Sequence, residues 1–480
     1  MAGLRTKLAW SLWQSSCKSS ARSFETALRD PEAQQRAHLS SILSGAANTE
    51  WAKQNRIGPN DDIETFQERV QIMDTKSLGE WTDRIRTGAP AVLTQSKVNR
   101  LVPTSGSTGP AKLIPMTKKS QQEFALAIDL WLYDLLHQYP EVKNGRCYIA
   151  TSPAQIYKSC DSAVPIGFAK DADYLSRWGR LAMSQVTALP PGISKLEGEV
   201  WKAQTKAYLA KAEDLSLISI WHPSYWMSLY SEQELRSAKE TWPQLATVSS
   251  WSDGACRPAA ESLMKFFPEA SHQAKGLWLT EGTVSIPWRK QRPIALMSAF
   301  LEFEDQEGKV HLSHELEDKL TYRPILTNHA GLYRYRLGDL VRVDGFVEQT
   351  PSLSWVGRVD AVSDLCGEKL SEAQISRALA TANWPHFALL CPRKNPSGYI
   401  CFLRQNQAEV FPLEKFESAL QENPHYKWCR TVGQLGPLSI RSLSNSTYDK
   451  FSNQQWDDTH HIKGSHLLPL ERARDLGIID

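Results

Sequence analysis

Apolar positions near the start of the chain fall on one helical stripe. Leu4, Leu8 and Leu12 recur at four-residue spacing with Trp13 beside them, which predicts a first helix packed through that face. The same helical texture, rich in Gln, Glu, Lys and Ala and poor in glycine, continues to about residue 90. From Ala91 onward, short apolar runs alternate with Gly/Pro/Ser turns and longer helical patterns. Cys147–Ala150, Leu215–Trp221 and Ile294–Phe303 suit strands, and Lys119–Gln138 and Lys202–Glu213 suit helices between them. The most apolar window, Phe124–Leu136, is interrupted by Asp129 and Asp134 and reads as a buried helix. This interleaving gives a mixed α/β (α+β) class with sheets packed between helices. The texture changes again near Gly357–Asp360. Helices at Leu370–Thr381 and Leu413–Glu422 and strands at Phe387–Leu390 and Tyr399–Leu403 predict a small C-terminal α+β domain over 361–480, after a large domain over 1–358.

Composition narrows the function classes. The 480 residues carry 55 Lys+Arg against 53 Asp+Glu, a formal charge of +2, which removes the electrostatic case for nucleic acid or an anionic membrane as partner. With 41% hydrophobic and 22% charged residues the chain is expected to be globular. The 17 tryptophans point to a large aromatic interior or pocket. No stretch approaches the roughly 20 apolar residues of a membrane span, and the first 22 residues lack a continuous signal-peptide core. The eight cysteines are scattered without a CxxC pair, so a reducing, cytoplasmic setting is expected.

Three constellations could carry chemistry. Thr104-Ser105-Gly106-Ser107-Thr108-Gly109-Pro110-Ala111-Lys112 packs hydroxyls, glycines and a lysine into nine residues. Small residues let backbone N–H groups converge on an anion, and Lys112 supplies compensating charge. It is not a Walker A loop, which needs Lys directly after its second Gly; an ordinary Ser/Gly surface loop is the alternative. In Leu277-Trp278-Leu279-Thr280-Glu281-Gly282, a carboxylate ends an apolar strand-like run, where ligands collect in open α/β sheets. Glu281 could hold Mg²⁺, or be an exposed strand-end glutamate. In the third, from Gly331 to Val341, Asp339 follows Gly338 into a strand and is suited to accept hydrogen bonds from two ribose hydroxyls; a plain turn aspartate is the alternative.

In this order the motifs resemble the adenylate-forming superfamily. More narrowly, Gly331–Phe346, Val164-Pro165-Ile166-Gly167 and Gly367–Glu372 resemble the auxin-responsive Gretchen Hagen family of acyl acid amido synthetases, its bacterial branch above all, from about Leu101 to Leu468. The resemblance implies a ligase that activates a carboxylic acid with ATP as an acyl adenylate, then transfers it to an amine, typically an amino acid. It places Ser105, Gly106, Ser107, Thr108, Gly109 and Lys112 on the β/γ-phosphates, Thr280 on the α-phosphate, Glu281 on Mg²⁺ and Asp339 on the ribose. Arg358 adds a ribose or phosphate contact near a hinge, and Ser252-Asp253-Gly254 flanks adenine. In this superfamily a mobile C-terminal domain delivers a catalytic lysine. Lys463 is the best match, although Gly464-Ser465-His466 and His460-His461 depart from the family pattern, and Lys369 is the reserve. His460-His461 alone is a poor metal site, since adjacent side chains point apart. Trp221, Trp226, Trp278 and Trp288 could line an acyl pocket or serve as core. An acyl-CoA ligase shares the first half-reaction, and a non-catalytic nucleotide-binding relative is the other reading. The expected partners are small molecules only, with a monomer or weak homo-oligomer.

Overall fold

The computed structural model describes residues 3–104, 112–150, 162–167, 175–193, 196, 198–253, 256–358, 362–384, 386, 388–444 and 467. The chain divides into two compact units, the first formed by 1–104, 112–223 and 232–359, the second by 105–111, 224–231 and 360–480.

The first unit begins with six helices: α1 (Leu4–Ser16), α2 (Lys18–Arg29), α3 (Pro31–Ala46), α4 (Glu50–Asn55), α5 (Ile63–Arg69) and α6 (Thr75–Arg86). Side-chain caps start four of them. Asp30, Thr49, Asp62 and Asp74 accept from Ala33, Ala52, Thr65 and Ser77 backbone N–H groups, satisfying donors that a helix leaves unpaired. The packed face of α1 is not the expected leucine stripe. Leu4, Leu8 and Leu12 are 74%, 52% and 59% exposed, while Ala9, Trp10 and Trp13 are buried. Each indole buries a large area, and each finds an acceptor: Trp10 Nε1 donates to the Gly145 carbonyl (2.9 Å) and Trp13 Nε1 to Asp129 Oδ1 (2.8 Å). That second bond also explains why an aspartate interrupts the apolar helix α7 (Lys118–Gln138).

Hairpin β1 (Val98–Thr104) and β2 (Lys112–Thr117) precedes α7, which opens with a reciprocal Thr117/Ser120 capping box. A parallel sheet follows in the order β3 (Arg146–Ile149), β4 (Leu215–Ser219), β5 (Thr247–Ser250) and β6 (Ser271–Ala274). Its crossovers carry α8 (Arg177–Val186) and α9 (Gly198–Ala210), then α11 (Glu232–Arg236) and α12 (Ala238–Thr241), then α13 (Arg257–Met264), while α10 (Ser224–Leu229), between β4 and α11 in the chain, belongs to the second unit. Because all four strands run the same way, their carboxyl ends collect on one edge, where Trp221, Trp251, Ser252, Asp253 and Lys275 follow the strands.

An antiparallel sheet completes the unit. It contains β7 (Phe300–Glu304), β8 (Val310–Leu312), β9 (Thr321–Thr327), β10 (Tyr335–Arg336), β11 (Asp339–Val347) and β12 (Thr350–Arg358), in the order β12-β11-β9-β7-β8 with β10 beside β9. The strand expected over Ile294–Phe303 is shorter, starting at Phe300. Ile294 makes only an isolated bridge to Ser285, and a turn closed by Ser298 N–H on the Ala295 carbonyl (2.8 Å) breaks the run.

In the second unit, hairpin β13 (Val362–Ser363) and β14 (Leu370–Ser371) leads to α14 (Glu372–Thr381), then β15 (Leu389–Lys394) and β16 (Ser397–Arg404). Helices α15 (Leu413–Leu420) and α16 (Pro424–Thr431) and strand β17 (Ser439–Leu443) follow, β17 pairing parallel to β16. A separate apolar core built on Ile375, Leu379, Tyr399, Phe416 and Tyr426 fills it.

Candidate active site

After β6 the chain turns into a tight hairpin. Leu279 and Gly282 exchange backbone hydrogen bonds (3.0 and 3.2 Å), Trp278 bridges Thr283, and Val284 N–H returns to the Leu277 carbonyl. Thr280 and Glu281 therefore sit at a two-residue tip rather than at a strand end. Gly276 makes the approach possible, since a Cβ there would lie 2.0 Å from the Ser285 carbonyl oxygen. Asn328, buried just after β9, pins the tip by donating Nδ2–H to the Glu281 carbonyl (2.7 Å), while its own Oδ1 accepts from Ala330 N–H (2.9 Å). Thr280, Glu281 and Asn328 line a pocket of about 350 Å³, mouth included, together with Glu123, Phe124 and Ser298. Pro115 and Met116 of β2 also line it, so the strand that leaves the Ser/Thr/Gly segment forms part of the same wall.

The two pocket carboxylates differ in their engagements. Burial pushes the Glu123 carboxyl up, but hydrogen bonds from His329 Nδ1 (2.6 Å) and His38 Nε2 (3.1 Å) outweigh it and hold the group below the usual range. The Glu281 carboxylate has no hydrogen-bond or ion-pair partner among the described residues. An unpaired carboxylate facing a pocket is the donor set a hard divalent cation takes, with phosphate oxygens completing its shell.

A second polar group is organised by Trp355 of β12, which sequence reasoning passed over. Its backbone N–H donates to Asp253 Oδ2 (3.1 Å) and its indole N–H to Asp339 Oδ1 (2.9 Å). One residue thus ties the turn after β5 to the first residue of β11. Arg292 holds the other oxygen of Asp253 at 3.0 Å and anchors itself on the Leu353 carbonyl at 3.1 Å. Asp339 pairs across the ladder with Arg358 and is 6% exposed. The pairing of β11 with β12 that places its carboxylate beside an indole of the neighbouring strand is a tertiary fact, so Trp355 could be found from the sequence only once that register was known.

Much of the distinctive Gly331–Val341 motif is scaffold. Tyr333 stacks on Trp51 with centroids 3.5 Å apart. Arg334, at φ +48°, donates to both oxygens of Glu302 (3.1 Å each) and to the Val70 carbonyl (2.8 Å). Gly331 takes φ +94° with its Cα against Leu93, where a Cβ would approach to 2.5 Å. The Val164–Gly167 motif is likewise structural: Leu101 N–H donates to the Pro165 carbonyl (2.9 Å) and Gly167 N–H to the Leu101 carbonyl (3.0 Å), bracing β1.

The structure thus brings Thr280 and Glu281 together in one pocket, and Asp253 and Asp339 together on Trp355. Ser252 follows β5 in the same unit. Ser105, Gly106, Ser107, Thr108, Gly109, Gly254 and Lys463 lie outside the described residues, and Lys112 and Arg358 are described by their backbone alone. In the second unit, Lys369 stands before β14 at φ +46°. The loop that carries it is fixed by Glu368, whose buried carboxylate accepts from Leu365 and Cys366 N–H groups (2.8 Å each), and by Asn423, which donates to the Glu368 carbonyl (2.9 Å). Of the four tryptophans, Trp226 and Trp288 are buried core residues, whereas Trp221 and Trp278 are partly exposed. No helix is long and apolar enough to cross a membrane among the described residues.

Comparison with known proteins places this arrangement in a class. The fold is that of adenylate-forming enzymes. An acyl acid amido synthetase solved in complex with 2,4-DB, AtGH3.15, superposes with a TM-score of 0.64 at 16% identity, covering 96% of this chain and 95% of that one. A 2-hydroxyisobutyryl-CoA ligase in complex with 2-HIB-AMP and CoA follows at 0.56 and 14% identity, covering 94% and 93%. Residues 20–196 match the GH3 family N-terminal domain and residues 293–358 the GH3 family central domain. The chain belongs to the GH3 family. Among curated relatives, indole-3-acetic acid-amido synthetase GH3.4 of Arabidopsis thaliana is 20% identical over 89% of this chain and 87% of its own length. The 4-substituted benzoates-glutamate ligase GH3.12 of the same plant is 31% identical, in an alignment that spans 28% of each chain.

Proposed function

We propose that this chain is an ATP-dependent acid–amine ligase. A carboxylate oxygen of the acid bonds to the α-phosphorus of ATP as the bond to the β-phosphate bridge breaks, releasing pyrophosphate. An amine nitrogen, of an amino acid in the reading favoured here, then attacks the acyl carbon. AMP leaves with the oxygen that had attacked, and the surplus ammonium proton passes to solvent. The observation that carries the reading is the pinned hairpin tip, where Thr280 and Glu281 line one pocket and the Glu281 carboxylate has no partner among the described residues.

A highly charged displacement at phosphorus asks for positioning and charge stabilisation rather than covalent catalysis. Asn328 supplies the positioning by fixing the tip backbone. Glu281 would hold Mg²⁺, which when bound neutralises phosphate charge. Asp339, oriented by the Trp355 indole, accepts from ribose hydroxyls, and Ser252–Gly254 flank the base. Ser105–Gly109 and Lys112 cradle the outer phosphates, and Arg358 adds a ribose or phosphate contact. Residues 361–480 swing about Arg358–Asp360 to deliver Lys463, with Lys369 as the alternative. Loss of a group that acts only on transition-state charge lowers kcat with little effect on nucleotide affinity. Lys463→Ala should therefore slow adenylation by about 10²-fold, or ~2.7 kcal/mol.

The test is ATP–pyrophosphate exchange across a panel of carboxylic acids, followed by amine- and coenzyme-A-dependent turnover. Acid-dependent exchange with amide formation supports the proposal. Exchange followed by thioester formation alone would favour the acyl-CoA ligase reading, which the structural likeness to a CoA ligase keeps specific. A folded protein that binds ATP but exchanges with no acid would be the non-catalytic relative.

A further inference from the structure

Lys275 follows β6 at the carboxyl edge of the parallel sheet, five residues before Thr280. Its ammonium lies between two indoles, 4.6 Å from the Trp131 ring centroid and 5.0 Å from that of Trp221, and donates to Ser219 Oγ at 2.9 Å. Among the described residues no carboxylate reaches it. The cage is held from behind. Trp131 Nε1 donates to Gln273 Oε1 (2.6 Å), which also accepts from Ser249 Oγ (3.1 Å), so sheet residues fix the indole plane. Trp221 leans on Trp251, with centroids 5.6 Å apart.

The cage is continuous with the pocket at the hairpin. Trp131 meets Trp278 edge to face at 6.2 Å, and Trp278 meets Phe124 at 5.5 Å; Phe124 is a wall of the pocket that holds Thr280 and Glu281. The Trp278 indole N–H is buried with no acceptor among the described residues. Among the described residues, an ammonium without a counter-charge and an indole N–H without an acceptor both lie along one aromatic band. Taking a charge from water without a partner is costly, and burial lowers the Lys275 pKa from its ordinary value to about 7. Two rings recover part of that cost through cation–π attraction. A methionine would fill the same space without any of it.

We propose that Lys275 is an anion-recognition residue of the site: it binds a substrate carboxylate other than the one being activated. This rests on the ligase reading above. Two substrates could bring such a group, a dicarboxylic aromatic acid or the amino acid acceptor, and the two sources are separable because pyrophosphate exchange needs no amine.

The first arm compares benzoate with terephthalate, and cinnamate with 4-carboxycinnamate, in the exchange assay. The second compares L-alanine and L-glutamate with their carboxamides as acceptors in amide formation. Each arm uses wild type, Lys275→Met and Lys275→Arg. If the acid is the source, the wild type prefers the dicarboxylate by tenfold or more in kcat/KM, Lys275→Met abolishes that preference and Lys275→Arg keeps part of it. If the acceptor is the source, exchange ratios stay level and Lys275→Met raises KM for the amino acids but not for the carboxamides. Neither preference moving in a folded Lys275→Met protein overturns the proposal. A third readout does not depend on turnover. Terephthalate and L-glutamate are titrated against the intrinsic tryptophan fluorescence, to which Trp131 and Trp221 contribute. Saturable quenching by either, weakened tenfold or more in Lys275→Met, supports the site even if no acid sustains exchange, in which case the ligase reading fails and this one stands. Equal quenching curves for wild type and Lys275→Met count against it.

Discussion

Glu302 and Glu281 stand in the same unit and were shaped for opposite ends. Glu302, on β7, is fully buried; Arg334 donates to both its oxygens and Gln67 Nε2 adds a third bond at 2.8 Å. Burial raises its pKa and the Arg334 guanidinium pulls it back. Glu281, at the hairpin tip, has no partner for its carboxylate among the described residues, while its carbonyl is tied down by Asn328. The contrast shows that polar satisfaction, more than motif membership, separates scaffold from chemistry. A group whose valences are all met inside the protein holds the fold, and one whose backbone is fixed but whose side chain is left open waits for a ligand.

The largest expected effect breaks the scaffold side. Arg334→Ala leaves a buried, unpaired carboxylate and should cost about 3–5 kcal/mol. Removing both charges, as Arg334→Met with Glu302→Leu, should recover much of that loss. Urea denaturation of the three variants checks both numbers, and a single variant as stable as wild type would remove the distinction. Glu281→Gln should do the reverse. Its melting temperature should stay within a few degrees of wild type, while pyrophosphate exchange falls by roughly 10²-fold, about 2.7 kcal/mol, with altered Mg²⁺ dependence.

Sequence periodicity made the long elements legible. Helix α7 and strands β4 and β16 fall where apolar patterning puts them, because each buries residues at its own period. It failed on α1, where leucine spacing mimics a packed face and the tryptophans decide. It also failed near Ile294, where an apolar run is spent on a turn. Within the site, Glu281 and Asp339 could be singled out because short local signatures surround them. Trp355, Asn328 and Lys275 could not. Their roles arise from partners such as Asp339, Glu281 and Trp131, 16, 47 and 144 residues away in the chain, a separation that no local pattern encodes.

A finer test turns on Trp355, which belongs to both categories. Trp355→Phe keeps the ring in the strand but removes the indole donor to Asp339. Nucleotide affinity should weaken by about fivefold, close to 1 kcal/mol, with little change in stability. Isothermal titration with ATP measures it, and an unchanged affinity would make that bond a scaffold contact only. Asp339→Ala should weaken binding more, since two charge-assisted bonds of roughly 1.5–3 kcal/mol each are then lost.

A further prediction concerns pH. Lys275 has a folded pKa lowered to about 7 from 10.5 because it is desolvated. Between those values the unfolded chain binds the extra proton, so stability should rise as pH increases from 7 to 10. Denaturation midpoints of wild type and Lys275→Met across that range should converge toward high pH as the wild type gains; parallel curves would show that Lys275 is not desolvated.

The most direct test of the ligase reading follows oxygen. An accepted acid carrying ¹⁸O in both carboxylate positions is turned over with ATP and an amine, and the products are weighed by mass spectrometry. The expected result is one ¹⁸O in AMP and one in the amide, because the attacking oxygen leaves with the nucleotide. Label in orthophosphate with ADP as the co-product, or AMP free of label, would contradict an acyl adenylate.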